Sequence, residues 1–161
     1  MNILVCISQV PDTTTKIQVS GDGQTIDKSG VKFILNPYDE FAIEEGLKLR
    51  EQFGGAVTAL TVGSETSKEI LRTALAMGVD KACIVKTDAQ LDSYNVAENI
   101  AGFAKNISPD LIIFGRQSID FDSSSMAPMV AEMLDMPSIS VVSSWKIEGN
   151  GIQAERDIEG G

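Results

Sequence analysis

The chain has 161 residues, 43% of them apolar, and carries 13 basic against 23 acidic side chains. That length suits one domain with a real core, the scattered basic residues argue against nucleic acid, and no apolar run is long enough for a membrane span. Histidine is absent, which removes Ser-His-Asp and Cys-His nucleophilic catalysis and almost every zinc enzyme site.

The N-terminal apolar run, Asn2 to Ser8, is too short for a signal peptide and reads as a first buried strand. A cytoplasmic location is therefore expected. Lys16 to Ser20 and Thr25 to Leu35 flank the turn signal Gly21-Asp22-Gly23 and predict a small hairpin excursion. A first helix is expected from Asn36-Pro37-Tyr38-Asp39, with asparagine as cap, proline in the first turn and acidic residues where the dipole favours them. Ala42, Gly46, Leu49 and Phe53 form its apolar face, and Gly54-Gly55 stops it.

Ala56 to Val62 reads as a strand, and Thr66-Ser67-Lys68-Glu69 as a capping box opening a second helix. Ile70, Leu71, Ala74 and Leu75 form that helix's stripe, and Gly78 ends it. A strand over Asp80 to Lys86 and a helix over Asp92 to Ile107 follow, the helix with Val96, Ile100 and Phe103 on one face. Leu111 to Phe114 is the next strand and Met126 to Leu134 the fourth helix; Pro137 ends that pattern. Ile139 to Trp145 and Gly151 to Ile158 suggest two last strands around Glu148-Gly149-Asn150. The closing residues, Arg156 to Gly161, read as a strand entering a turn, with the expectation that further chain normally follows.

Strands alternating with helices imply βαβ units. The expected fold is α/β, a Rossmann-like doubly wound and mostly parallel sheet covered on both faces, forming one domain over 1–161. Cys6 and Cys83 fall in strands and are expected to be buried thiols. Glu44-Glu45 reads as a solvated face, while Met126, Met129, Met133, Met136 and Trp145 read as packing.

In such a sheet ligands bind beyond the carboxyl ends of the strands, where strand order reverses. The longest and most polar loop there is Gly115, Arg116, Gln117, Ser118, Ile119, Asp120, Phe121, Asp122, Ser123, Ser124, Ser125 and Met126. Asp120 and Asp122 are two carboxylates without further local ligands, a weak magnesium site that reads better as turn and helix capping. The three serines at a helix N-terminus suit a phosphate, with a single capping serine as the bland alternative. Gly115 lets a backbone approach closely. No GxxxxGK[ST] loop and no base–nucleophile pair is present, so binding a nucleotide is better supported than cleaving one.

Five segments in family order carry a resemblance: NILVCISQVPD, GVKFILNPYDEFAIEEGLKLRE, LRTALAMGVDKA, DLIIFGRQSIDFD and AERDIEGG. Together they resemble the β subunit of electron transfer flavoproteins. The resemblance implies a heterodimer in which the α subunit holds most of the FAD and the β subunit a buried AMP. It also implies electrons passing from acyl-CoA dehydrogenases of fatty acid oxidation, or other flavoprotein donors, to a membrane-associated quinone oxidoreductase. In bifurcating members a second FAD replaces the AMP.

Carried over by that resemblance, Cys6, Asn36 and Val62 join the loop from Gly115 to Met126 as cofactor-binding positions. Gln117 and Asp120 would order the loop or reach ribose or base. Members commonly carry glutamine at Ser125, and conventional ones threonine-glycine at Met126-Ala127. A phosphate contact at Met126 must then use its amide. The rival reading is a universal-stress-type nucleotide sensor, whose late glycine-rich signature is not found here.

Overall fold

The structure is a computed structural model that describes residues 1–149 and 151–158. Its centre is a parallel sheet of β1 (Asn2–Cys6), β4 (Ala56–Gly63), β5 (Lys81–Lys86) and β6 (Leu111–Phe114), in the order β5-β4-β1-β6. Cys6, the last residue of β1, lies opposite Leu60 of β4 and Phe114 of β6. The expected α/β fold is what the structure has, with helices on both faces and antiparallel hairpins added.

Each strand feeds two cores because alternate side chains leave on opposite faces. Ile3, Val5 and Ile7 pack toward α1 (Pro37–Phe53) and α2 (Lys68–Met77), while Leu4 and Cys6 pack toward α3 (Ser93–Ile107) and α4 (Met126–Leu134). Gly46 of α1 sits over β1, where an added Cβ would lie 3.1 Å from Val5 Cγ2, so a small residue sets that helix–sheet spacing. Gly78 ends α2 in the left-handed region at φ 115° and donates to Ala74 O at 3.2 Å.

The first excursion differs from expectation. The ladder joins β2 (Gln9–Pro11) to β3 (Phe33–Leu35), whereas Lys16–Ser20 and Thr25–Leu35 contribute only an isolated Val19–Ile26 bridge. Pairing at the base returns the chain beside its starting point, and Asn36 N donates to Ser8 O at 3.0 Å. The tip is held by Asp22, which takes the amides of Gln24 at 2.9 Å and Thr25 at 3.2 Å.

The capping box at the second helix does not form. Glu65–Ser67 is a 3-10 turn, Ser67 makes no side-chain cap, and its hydroxyl reaches Gln9 Oε1 at 3.2 Å instead. Asp92 does cap α3, accepting from Asn95 N at 2.8 Å. Leu75 and Phe53, expected on apolar faces, are about half exposed; Ile43 and Leu47 fill the α1 contact with Ala42 and Leu49.

At the C-terminal side β7 (Val142–Glu148) pairs antiparallel with β8 (Gly151–Arg156). Trp145 and Ile147 pack on the α1/α2 core, and Trp145 Nε1 donates to Glu45 Oε2 at 3.2 Å. Glu45 is therefore more than a solvated charge: it anchors the hairpin to α1. Asn150 of the expected turn, and the last three residues of the AERDIEGG segment, lie outside the described residues.

Candidate functional site

Strand order reverses between β1 and β6: β4 follows β1 on one side, whereas β6 is added on the other. In a doubly wound sheet this is where a crevice opens beyond the strand ends. Its floor is built from Ser8 after β1, Gly115 after β6, and Asn36 to Asp39 at the start of α1, with Cys6, the last residue of β1, at its edge.

Asn36 stands at the N-cap position but does not cap. It is 1% exposed, and its Nδ2 donates to Gln117 O at 3.0 Å, so the residue ties the helix start to the polar loop. The Oδ1 of Asn36 is buried without a hydrogen-bond partner among the described residues. Buried acceptors are nearly always satisfied. This one is suited to a ligand's hydroxyl or amine donor.

Asp39 completes the floor. It is 5% exposed, and its Oδ2 accepts the backbone N–H of Ser8 at 2.7 Å and the Ser8 hydroxyl at 2.8 Å. Burial pushes this carboxyl up to about 6, against the opposing pull of the Ser8 donors, the Asn36 amide and the Gly115 N–H. Gly115 is required by the fold itself. A Cβ there would lie 2.7 Å from Tyr38 C and 2.8 Å from Asp39 N, and would strike Asp39 Oδ1. The backbone that comes close is the first turn of α1.

The rest of the loop is held largely by itself. Asp122, at φ 54°, accepts from Gln117 Nε2, and its N–H donates to Ser118 O at 3.0 Å. Asp120 accepts from Phe121 N at 2.8 Å. Both carboxylates thus order the loop, in the architectural role expected of them. Among the described residues no three His, Cys, Asp or Glu side chains group as a metal site. Arg116 points to the C-terminal hairpin, 3.7 Å from Asp157, and Phe121 is 85% exposed.

The loop ends at α4, whose N-cap residue Ser125 makes no side-chain cap. Its hydroxyl lies 2.8 Å from that of Ser123, and its carbonyl accepts from Met129 N at 3.2 Å. Ser124 is exposed and Met126 half-buried against the α3/α4 core. An uncapped helix start with three hydroxyls before it is chemically suited to an anion. A groove of about 510 Å³ between α3 and α4 shares only Ser125 with the loop; Tyr94, Pro128, Met129, Glu132 and Met133 line the rest.

The expected positions divide accordingly. Asn36, Gly115 and Gln117 come together at the crevice floor, with Cys6 at its edge. The Cys6 side chain faces the α3/α4 core, and burial, with the Asp39 charge second, pushes its thiol far up. Ile119 is half-buried within the loop. Val62 lies near the end of β4, across β1 from the loop, and packs on the α3/α4 core. Ser8 and Asp39 were not among the expected site residues. The available signal was an acidic residue three positions after a cap, which reads equally as a helix-dipole charge.

Fold and site together define an α/β protein of the doubly wound type with a crevice at its strand-order reversal. The sequence model of the electron transfer flavoprotein domain matches residues 24–161, and the chain belongs to the electron transfer flavoprotein family. It is 40% identical over 163 residues to electron transfer flavoprotein subunit beta of Bacillus subtilis, covering 99% of this chain and 63% of that protein. The namesake from Thermoanaerobacterium thermosaccharolyticum is 38% identical, over 100% of this chain and 62% of its own length. Protein FixA of Bradyrhizobium diazoefficiens is 39% identical, over 100% and 59%. The chain thus spans about three-fifths of the length of these relatives.

Proposed function

We propose that this chain acts as the nucleotide-binding part of the β subunit of a heterodimeric electron transfer flavoprotein, holding AMP as a structural ligand. In this reading the protein is an electron carrier in the cytoplasm rather than an enzyme. The observation that carries it is the crevice at the strand-order reversal, where a buried, unpartnered acceptor at Asn36 and the uncapped start of α4 flank one loop. Asn36 Oδ1 suits a ribose hydroxyl or the adenine amine. The amides of Met126 and Ala127, with the hydroxyls of Ser123 to Ser125, suit a phosphate.

AMP supplies no chemistry of its own; FAD, held mainly by the α subunit, supplies the redox step. The residues of this chain bind and orient the nucleotide and, through α1 and the C-terminal hairpin, keep the crevice in shape. Donors would be acyl-CoA dehydrogenases or other flavoproteins, and the acceptor a quinone oxidoreductase at the membrane. No helix among the described residues is long and apolar enough to cross a membrane itself. Similarity to β subunits over the whole chain supports the α-subunit partnership.

The test is to denature the purified protein and identify the released nucleotide. AMP at one equivalent is expected. FAD released from this subunit would instead assign a second flavin to the crevice. A folded sample that releases neither, and binds neither when added, would overturn the reading.

A further inference from the structure

The crevice lies between the ends of β1 and β6, and one side chain reaches both. Asp39 accepts two hydrogen bonds from Ser8, after β1, and its other oxygen lies so close to the glycine after β6 that a Cβ on Gly115 would strike it. From the same turn Asn36 holds Gln117 O, two residues further along the loop. The carboxylate is buried, and among the described residues no lysine or arginine pairs with it. The titratable group acting with it from β1 is Cys6, whose buried thiol is neutral. A carboxylate in such surroundings is costly to fold around, and neutral side chains could have packed there. Its Oδ2 is taken up by the two Ser8 donors, and its Oδ1 lies against Gly115.

We propose that Asp39 is a positioning residue for nucleotide binding: it clasps the ends of β1 and β6 through Ser8 and Gly115 and so fixes the start of the 115–126 loop. This rests on the nucleotide reading above. The Asp39→Asn side chain keeps one acceptor but turns an NH₂ toward donors. One strand end is then released while the buried charge disappears. Function and stability should therefore move apart, which a purely structural role would not produce.

The experiment is AMP titration calorimetry at pH 7.5 on the wild-type protein and D39N, with thermal unfolding of both. D39N is expected to bind about tenfold more weakly, while its unfolding midpoint stays unchanged or rises. In the ligand-free wild type, the amide protons of Ser8 and Gly115 should share one NMR titration near pH 6, absent from D39N. If D39N fails to fold, Ser8→Ala removes one donor more gently and should weaken AMP binding by a few-fold. AMP binding by folded D39N that matches wild type overturns the proposal. So does wild-type binding by S8A where D39N does not fold, or independent titration of the two amides. A wild-type protein that binds no nucleotide overturns the underlying reading, an outcome seen before any variant is compared.

Discussion

The carboxylate of Asp39 accepts both the backbone N–H and the hydroxyl of Ser8, at 2.7 and 2.8 Å, and so joins the first turn of α1 to the end of β1. Burial outweighs these bonds and raises its pKa from 3.8 to about 6. A raised pKa means that the folded state binds the proton more tightly than the unfolded chain does. The resulting stabilisation is complete below pH 4 and is lost as pH rises through 6, by about 3 kcal/mol. Urea unfolding at pH 4.5 and 7 should show wild type gaining stability on acidification from this group. Absence of that difference between wild type and D39N would contradict the assignment.

Gly115→Ala puts a methyl group against the Tyr38 and Asp39 backbone, which cannot move without shifting α1. Overpacking of this kind costs about 1–3 kcal/mol. Denaturant midpoints should fall accordingly, and AMP affinity with them. Gly102→Ala is the control: its added Cβ meets nothing within 4 Å, and on a helix it should be neutral or slightly stabilising.

Trp145 is the chain's one tryptophan and reports on the hairpin alone. Trp145→Phe removes the bond to Glu45 but keeps most of the ring packing, so a loss of about 1 kcal/mol is expected. Glu45→Gln should retain an acceptor for the indole and cost less. In wild type, mild denaturant should shift the emission to the red as the hairpin leaves α1. A red shift already present in native buffer would contradict the packing.

Cys6 is buried and held neutral, whereas Cys83 is half-buried on β5, a strand at the sheet edge. A thiol reagent at pH 8 should modify Cys83 first and reach Cys6 only on unfolding. Peptide mapping after a short exposure to iodoacetamide reads this directly. Early labelling of Cys6 would show that β1 opens in the native state.

The regular βαβ register was legible because periodicity is local. β6 and α4 occupy the spans read from sequence, 111–114 and 126–134. Errors came where a distant partner won a side chain. Thr66, the expected cap of the second helix, and Ser67 both turn their hydroxyls to Gln9, and the excursion paired through 9–11 and 33–35 rather than near its tip. The loop after β6 was legible from its polarity, and so was the architectural use of Asp120 and Asp122. Asp39 was not, because its meaning depends on Ser8 and Gly115, which are 31 and 76 positions away and become neighbours only in the folded sheet.

The first turn of α1 also fixes the electrical polarity of the crevice. Pro37 has no N–H, and the amide of Asp39 is already donated to Asn36 O at 2.9 Å. Two of the donors with which a helix start attracts anions are thus missing or used, and a carboxylate sits among them. Across the crevice, α4 likewise has a proline, Pro128, in its first turn and an amide, that of Met129, donated back to Ser125 O at 3.2 Å, but no side-chain cap and no carboxylate there. For the nucleotide proposed above, the phosphate would meet repulsion on one wall and exposed amide dipoles on the other, so that the field would choose the ligand's orientation before any base-specific contact forms.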